Sequence, residues 1–403
     1  MKIRVNKISA ITVATTLAWA TASPAMAQPT PTPQQLMEMI QAQQSQLDAL
    51  KTALQKAETK AMAASVKAEQ AKEASSKGSS IPGLPRGLTI GGVAELEITD
   101  AESFAEASSS DITLATVELF VDAQLHDYLG THVQFIYEDD GTETIGLDEA
   151  NFTLGNTNEF PLYLMGGKWP MPFGGSFDTA MNSNPLTTNL GEVKEAAVLL
   201  GLVKDGAILE GYFFNGDTQK IGEGDQIDQF GISAGYGGDL SGAEYNIGIG
   251  YINNIADADA VTDGLTNSAR LADGYVAGFE AHGDVTFKGI ALRGAYMTAL
   301  DDFASGNLAF NGQSAEPSAW VTEAAYTMDI MGKETTFAGT AQGTSEALAL
   351  GLPELRVGGA VTVGIVDHFS VTGEYLRDED YATAEGGTGR AGHTATLKLA
   401  AEF

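Results

Sequence analysis

The carboxy-terminal stretch of the chain alternates between apolar and polar positions and ends on an aromatic residue, Phe403. Every second residue from Phe403 back to Ala395 is apolar, and the residues between them are mostly polar. Because successive side chains of a strand point to opposite faces, this period of two predicts a strand with one apolar and one polar face. The same period returns along the chain from Leu88 onward. The dominant element is therefore a β-sheet.

The alternating segments, together with the turn residues between them, predict about sixteen strands. They lie near 87–99, 112–126, 131–139, 146–155, 161–169, 194–203, 206–214, 227–237, 243–253, 274–287, 290–299, 318–328, 333–342, 354–366, 369–378 and 392–403. Short turns such as Asp205-Gly206 and Lys288-Gly289 alternate with long, acidic or glycine-rich loops, among them 100–111 and 170–193.

An even number of strands, with short turns at one end and long loops at the other, is typical of a bacterial outer-membrane barrel. The terminal strand ending on Phe403 resembles the recognition strand of such barrels. We therefore predict an all-β fold, a transmembrane antiparallel β-barrel over 87–403 whose two termini are periplasmic. A soluble β-sandwich or solenoid is the alternative. It would explain the alternation but not the leader, Phe403 and the turn asymmetry together.

The amino-terminal residues 1–27 have the features of a secretory signal peptide. Basic Lys2 and Arg4 precede an apolar run over 8–20, and Ala25-Met26-Ala27 forms a small-x-small cleavage site. The run is shorter than the ~20 residues that a membrane-spanning helix needs. We predict that the mature chain begins after Ala27.

Three segments are predicted between the signal peptide and the barrel. Residues 28–33 form a Pro/Thr linker, 34–77 carry apolar residues at heptad spacing, and 78–86 form a second linker. The heptads predict a periplasmic coiled coil that makes a homotrimer or contacts the cell wall. Because the second half of the seam is mostly alanine, a lone helix is the alternative.

The formal net charge of −31 limits the partners that the chain can have. Such a charge argues against nucleic acid and favours cations. The absence of cysteine excludes disulfides and cysteine nucleophiles, and the scattered histidines lack the spacing of a zinc site. We therefore predict no enzyme activity, no cofactor and no resident metal. Outer-membrane lipid and lipopolysaccharide are the expected surroundings.

If the apolar face meets lipid, the polar face lines a wet interior that is rich in carboxylates. The lumen-facing candidates are Glu95, Glu97, Glu118, Asp122, Glu138, Glu149, Glu195, Glu210, Glu280, Asp284, Glu323 and Glu374, and the fewer basic candidates are Lys168, Arg293, Arg356 and Lys398. A pore lined mainly by one sign of charge favours the opposite ion. The sequence thus predicts a preference for cations, although acid–base pairs that only hold the barrel's shape would use the same residues.

The loop at 170–193 combines glycine, proline, aromatic and acidic residues. It either folds into the barrel and narrows the pore or caps the outer rim, and the sequence does not decide between these positions. The constriction-loop candidates are Phe173, Phe177, Asp178 and Glu192.

Several motifs in and around this loop resemble the LbtU-type siderophore porin family. They are Gly167-Lys168-Trp169-Pro170, Pro172-Phe173-Gly174, Asn184-Pro185-Leu186-Thr187, Leu190-Gly191-Glu192 and Tyr212-x-Phe214-Asn215-Gly216-Asp217. The resemblance implies an amino-terminal coiled coil joined to a barrel of roughly sixteen strands, and uptake of an iron-chelating siderophore or similar small solute. It carries over no ligand site.

Three hypotheses follow for the function. The first is passive uptake of small solutes such as a ferric siderophore, since the region before the barrel is too short for a plug domain. The second is a general cation-selective porin whose coiled coil trimerises or tethers the barrel to the cell wall. The third is a structural outer-membrane tether.

Overall fold

Sixteen antiparallel strands close into a barrel in the computed structural model, which describes residues 87–138, 144–174, 179–266 and 270–403. The predicted signal peptide, coiled coil and linkers lie outside these residues, as do Phe177 and Asp178. Among the described residues, no helix is both long enough and apolar enough to cross a membrane.

The barrel strands follow one another around the wall in chain order, each paired with its neighbours. They are β1 Leu88–Glu102, β2 Ser108–His126, β3 Leu129–Glu138, β4 Ile145–Leu154, β5 Leu162–Pro170, β6 Lys194–Lys204, β7 Ala207–Phe214, β8 Gln229–Leu240, β9 Ala243–Ile252, β10 Gly278–Phe287, β11 Ile290–Ala299, β12 Ser318–Ile330, β13 Lys333–Ser345, β14 Leu355–Val366, β15 Phe369–Glu379 and β16 Ala391–Glu402. The prediction of a sixteen-stranded antiparallel barrel is confirmed.

The last strand closes the barrel against the first, with Leu96 of β1 opposite Leu399 of β16. Beyond the end of β16, the Phe403 N–H donates to the Gly92 carbonyl at 3.0 Å, and the Gly92 N–H donates to the Phe403 carbonyl at 3.1 Å. A side chain at position 92 would lie 2.5 Å from the Phe403 ring. Glycine there lets the terminal aromatic ring lie against the wall.

The two faces of the wall differ as the alternation predicts. Ile90, Leu200, Ile247 and Leu292 point outward and are half exposed, which leaves an apolar surface for lipid. Polar side chains on the alternate positions point into the lumen. Closure leaves the barrel without an exposed sheet edge, so every strand has two hydrogen-bonded neighbours.

The connections alternate between short turns and long loops around the barrel. Four short connections are two-residue turns, Asp205-Gly206, Ser241-Gly242, Lys288-Gly289 and Met331-Gly332, in which both residues have positive φ. Such left-handed pairs match the twist of a hairpin. Both ends of the barrel sequence, at Leu88 and Glu402, lie at the short-turn end.

The first hairpin is longer than the sequence predicts. Residues 100–111 were expected to form a loop, whereas Thr99–Glu102 pair with Ser108–Asp111 and leave only 103–107 as the connection. The segments are polar on both faces, so hydrophobic alternation does not mark them as strand. Main-chain pairing extends the hairpin beyond the part of the wall that carries the apolar band.

The main apolar cluster lies inside the long-loop end of the barrel. It joins the 171–193 loop, with its short helix α1 Leu186–Gly191, to the 253–277 loop, which contains a 3₁₀ turn at Ile255–Asp257 and the helix α2 Asp259–Gly264. Phe173, Leu190, Ile255, Val261 and Phe303 are among its fully buried members. The barrel is therefore packed with loop residues at one end.

Candidate functional site

The 171–193 loop folds into the barrel and reaches the wall opposite its origin. It leaves β5, yet the Gly174 N–H donates to Glu280 Oε2 on β10 at 2.8 Å, and the Ala180 N–H donates to Glu323 Oε1 on β12 at 2.9 Å. Of the two positions open from the sequence, the structure shows the inward one.

Farther along, the loop continues around the inner wall. Glu374 on β15 accepts hydrogen bonds from the main-chain N–H groups of Asn182 at 2.6 Å and Ser183 at 3.1 Å, and from the Ser183 hydroxyl. Gln342 on β13 accepts from the Leu186 N–H at 2.7 Å. Main-chain donors removed from water need acceptors, and carboxylates supply strong ones. The wall side chains thus hold the loop by its backbone.

The three carboxylates that hold the loop are buried beneath it. Glu280, Glu323 and Glu374 are each about 4–5% exposed. Arg293 on β11 contributes one more contact, because its guanidinium donates to Glu323 at 2.6 Å. We call the wall residues that hold the loop, Glu280, Glu323 and Glu374, the seat of the loop. Glu280 and Arg293, which were predicted to line the pore, therefore lie at this seat rather than along an open passage.

The apolar side of the loop packs into the core at the long-loop end. Phe173, one of the constriction-loop candidates, is 0% exposed there, and its ring fixes the loop from within. Gly174 has φ +76°, and a Cβ at this position would lie 2.0 Å from the Gly191 carbonyl oxygen. Only glycine allows the two ends of the loop to approach this closely.

A cavity of about 1060 Å³ remains between the tip of the loop and the wall of β1, β2 and β3. Its lining includes Glu95, Glu97, Glu118, Glu138, Asn182, Ser183, Arg356 and Lys398, and it extends to Glu402 and His368 at the short-turn end. Six predicted lumen-facing residues, Glu95, Glu97, Glu118, Glu138, Arg356 and Lys398, are thus brought together.

The balance of charge in this cavity is acidic. Each basic group already has a carboxylate partner, with Lys398 Nζ 2.9 Å from Glu95 Oε1 and Arg356 Nε 2.8 Å from Asp378 Oδ1. Among the described residues, no salt bridge reaches Glu97, Glu118 or Glu138. Glu97 accepts a hydrogen bond from Asn182 Nδ2 at 3.0 Å. The cavity therefore offers several carboxylates that form no salt bridge within the described part of the chain.

The long-loop mouth holds a second group of charged residues. Glu192 lies just after α1, where burial raises the pKa of its carboxyl group and the nearby Lys194 partly opposes the shift. Lys194 itself lies 2.7 Å from Asp148. At this end the register of β5 and β6 places the predicted residue Lys168 opposite Ala196 and the predicted residue Glu195 opposite Trp169, so Lys168 and Glu195 occupy alternate positions of the wall.

Four remaining predicted residues lie elsewhere. Glu149 Oε2 lies 3.8 Å from His132 Nε2, and Asp284 is paired with Arg293 in the register of β10 and β11. Asp122 forms a 2.8 Å contact with His132 near the short-turn end, and Glu210 on β7 accepts hydrogen bonds from the Tyr163 hydroxyl and from Ser233. Asn182, Ser183 and Gln342 connect the loop to the wall but are not marked as functional by any pattern in the sequence. Their contacts join distant parts of the chain, and no local pattern marks such contacts.

A buried polar network links two of the long loops. Asp257 accepts hydrogen bonds from the Thr218 N–H at 2.7 Å, the Thr218 hydroxyl at 2.8 Å and Asn254 Nδ2 at 2.8 Å. Burial nevertheless raises the pKa of Asp257 to about 6, with the hydrogen bonds opposing the shift. The network fixes the 215–228 loop to the 253–277 loop beside the inward loop.

Comparison with known proteins gives distant relatives in sequence. No protein-family model matches the chain. A UPF0422 protein of Legionella pneumophila (strain Philadelphia 1) is 27% identical over 338 residues, covering 77% of this chain and 62% of the relative. A UPF0422 protein of Coxiella burnetii is 26% identical over 310 residues, covering 75% of this chain and 66% of the relative. The chain thus spans less than two thirds of the length of the Legionella relative.

Solved structures with a similar fold include an anion-selective porin and an outer-membrane channel. The anion-selective porin from Comamonas acidovorans has a TM-score of 0.53 and 12% identity, covering 79% of this chain and 99% of that one. The channel DcaP of Acinetobacter baumannii has a TM-score of 0.55 and 12% identity, with coverages of 78% and 97%. OprB of Pseudomonas putida has a TM-score of 0.54 and 10% identity, with coverages of 79% and 94%. The chain is similar in sequence to UPF0422 proteins and has a porin-like fold.

Proposed function

We propose that the protein is an outer-membrane porin through which small solutes diffuse passively, with a preference for cations. The observation that carries this proposal is the inward loop, held on Glu280, Glu323 and Glu374, which leaves an acidic cavity beside it. A loop that only capped the outer rim would not form these hydrogen bonds inside the barrel. A barrel that only anchored the predicted coiled coil would not require them.

The proposed charge preference rests on the lumen rather than on the fold. One solved relative in fold is an anion-selective porin, so the barrel architecture is compatible with either sign. In this chain Arg356 and Lys398 are each paired, whereas Glu97, Glu118 and Glu138 line the cavity without a salt bridge to any described residue. A low-dielectric wall strengthens the attraction of such carboxylates for cations.

The siderophore proposal rests on the LbtU-type resemblance. The motifs that carry this resemblance include Phe173, Gly174, Leu186 and Gly191, which pack within the inward loop or let its two ends approach each other. The acidic cavity adds a restriction, because it repels an anionic iron chelate. A siderophore that uses this passage would be neutral or cationic as its iron complex. The same restriction favours the second candidate, a general cation-selective porin.

The setting of the barrel belongs to the same proposal. Both ends of the barrel sequence lie at the short-turn end, which we assign to the periplasm. The segment 34–77 would then be a periplasmic coiled coil that forms a homotrimer or contacts the cell wall, as its heptads indicate. The outward apolar band would meet outer-membrane lipid, and the long loops would meet lipopolysaccharide.

Two experiments test the function and the solute separately. Purified protein in planar bilayers is expected to give discrete conductance steps, and the absence of conductance would leave only the tether. A deletion strain grown under iron limitation on supplied siderophores is expected to grow more slowly than its parent if siderophores use the channel. Equal growth with retained conductance would favour the general porin.

A further inference from the structure

A second, smaller cavity lies behind the inward loop, in the wall formed by β7, β8, β9 and β10. It has a volume of about 180 Å³. Its lining includes Pro172 of the loop, Ile208 and Glu210 of β7, Ser233 of β8, Asn246 of β9, and Glu280 and His282 of β10. We call this cavity the recess.

Glycine residues create the recess. Gly235 of β8 and Gly248 of β9 lie opposite each other in the register, and both line the recess with main chain alone. A Cβ at position 248 would lie 2.4 Å from the His282 ring, and one at position 235 would lie 2.9 Å from Ile208. Any larger residue would fill the space, so the recess follows from the sequence of these two strands.

Two buried polar atoms beside the recess lack hydrogen-bond partners among the described residues. They are Glu280 Oε1 and His282 Nδ1, which lie 3.7 Å apart, too far for a hydrogen bond. Glu280 is only 4% exposed, and its other oxygen already accepts from the Gly174 N–H. A buried carboxylate oxygen without a donor is costly, by about 1–3 kcal/mol or more for a charged group. The recess therefore offers acceptors to an incoming donor.

The other acid of the recess is already satisfied. Glu210 Oε1 accepts from the Tyr163 hydroxyl, and Glu210 Oε2 accepts from Ser233 Oγ at 2.8 Å. One free carboxylate oxygen and one imidazole nitrogen are too few for calcium or magnesium, which take six or more oxygen ligands. Among the described residues, no cluster of acidic and histidine side chains suits a metal ion. An anion would meet two carboxylates.

A protonated amine matches these requirements. An ammonium group carries positive charge and three donors, two of which would match Glu280 Oε1 and, with the imidazole proton on Nε2, His282 Nδ1. A short hydrocarbon chain would lie against Ile208 and Pro172. The volume is close to that of a 150 Å³ cavity, which is known to hold a benzene-sized molecule.

We propose that the recess is a binding subsite for the ammonium group of a small organic cation. The subsite rests on the proposed channel function, since it lies on the lumen side of the wall beside the inward loop. It gives the general preference for cations a chemical specificity: solutes with primary amines would be retained, whereas cations without N–H donors would pass without being held.

Calorimetric titration of the full-length protein in detergent micelles at pH 8 tests this proposal, with n-butylammonium as the probe. We expect saturable one-site binding that is at least tenfold weaker in Glu280→Gln and in His282→Phe. The first change removes the charge while keeping an acceptor for the Gly174 N–H, and the second removes the imidazole acceptor without touching a loop contact. Tetramethylammonium, which has the charge but no donors, is expected not to bind saturably.

Glu244→Gln is the matched control. Glu244 lies two residues before Asn246 on β9 and faces the same side, but it is not part of the recess lining. The substitution Glu244→Gln removes one negative charge and is expected to change the affinity for butylammonium by less than threefold. Heat-modifiable migration on gels checks that each variant is a folded barrel.

The outcomes separate the subsite from the channel. If the protein conducts in bilayers but does not bind butylammonium, the subsite is overturned while the channel stands, and the recess would hold only water. Binding without conductance would overturn the channel alone. Two results would contradict the proposal: tetramethylammonium binding as tightly as butylammonium, or Glu244→Gln losing as much affinity as Glu280→Gln. Either result would show that binding depends only on the overall negative charge of the lumen.

Discussion

The side-chain amide of Asn182 donates a hydrogen bond to Glu97, with Nδ2 3.0 Å from Oε1. Asn182 belongs to the loop between β5 and β6, whereas Glu97 lies on β1, so this contact crosses the lumen. Together with the bonds to Glu280, Glu323 and Glu374, it fixes the loop at several points around the inner wall. The width of the passage therefore depends on side chains of strands that are remote from the loop in sequence.

Removing the Glu374 carboxylate should loosen the loop. Glu374→Ala leaves the N–H groups of Asn182 and Ser183 without their acceptor, and each lost bond to a charged group is worth about 1.5–3 kcal/mol. We expect a larger and noisier single-channel conductance. Glu379→Gln, on the same strand but bonded to Arg377 instead, should conduct like wild type. Identical conductance of wild type and Glu374→Ala would contradict the anchoring role.

Charge changes in the larger cavity should alter ion selectivity. The double change Glu118→Gln and Glu138→Gln removes two carboxylates that line the cavity, so the permeability ratio of potassium to chloride should fall toward one. Lys398→Gln removes a base and should raise the ratio. The measurement is the zero-current potential in a potassium chloride gradient. Shifts in the same direction for both variants would contradict the assignment of charge.

The closure of the barrel should depend on glycine at position 92. In Gly92→Ala the new Cβ would lie 2.5 Å from the Glu118 carbonyl oxygen and 2.5 Å from the Phe403 ring. Because the carbonyl belongs to the wall, we expect a lower yield of heat-modifiable, folded barrel. Gly146→Ala is the control, since a Cβ there meets nothing within 4 Å. Equal folding yields of the two variants would count against this account of closure.

The loop network around Asp257 should give stability a defined pH dependence. Burial raises the pKa of Asp257 from 3.8 to about 6, so the folded state binds a proton more tightly than the unfolded state. The contribution of Asp257 to stability should therefore be greatest below pH 4, decline as the pH rises to about 6 and then level off, a change on the order of 3 kcal/mol.

Protease cleavage within the 253–277 loop, followed from pH 4 to pH 7, measures this dependence. Cleavage of the wild-type protein should become faster with rising pH after correction for the protease's own profile. In Asp257→Asn the side chain cannot ionise, and this part of the slope should vanish. A wild-type slope that persists in Asp257→Asn would assign the effect to other groups.

The strands of the wall could be predicted closely from the sequence. A strand that faces lipid on one side and water on the other alternates between apolar and polar residues, and this pattern is local in the sequence. The strands from Lys194 to Phe214 and from Lys333 onward illustrate this agreement. The polar ends of β1 and β2 escaped prediction, because Ser108–Asp111 pair through the main chain and carry no apolar face.

The seat of the loop could not be predicted in the same way. Glu280, Glu323 and Glu374 were expected in the lumen on alternation alone, but their roles depend on backbone donors of residues 174–183. A local sequence pattern does not determine which part of the wall a long loop meets. Likewise, the sequence marks Phe173 as a residue of the constriction loop, whereas its burial depends on Ile255 and other residues of distant loops.

The zero-current potential of the wild-type protein in a tenfold potassium chloride gradient tests the central claim most directly. An acidic passage admits potassium more readily than chloride, so the dilute side should become positive relative to the concentrated side. A potential of the opposite sign, or a membrane that shows no conductance after insertion of folded barrel, would contradict the account of a cation-preferring channel.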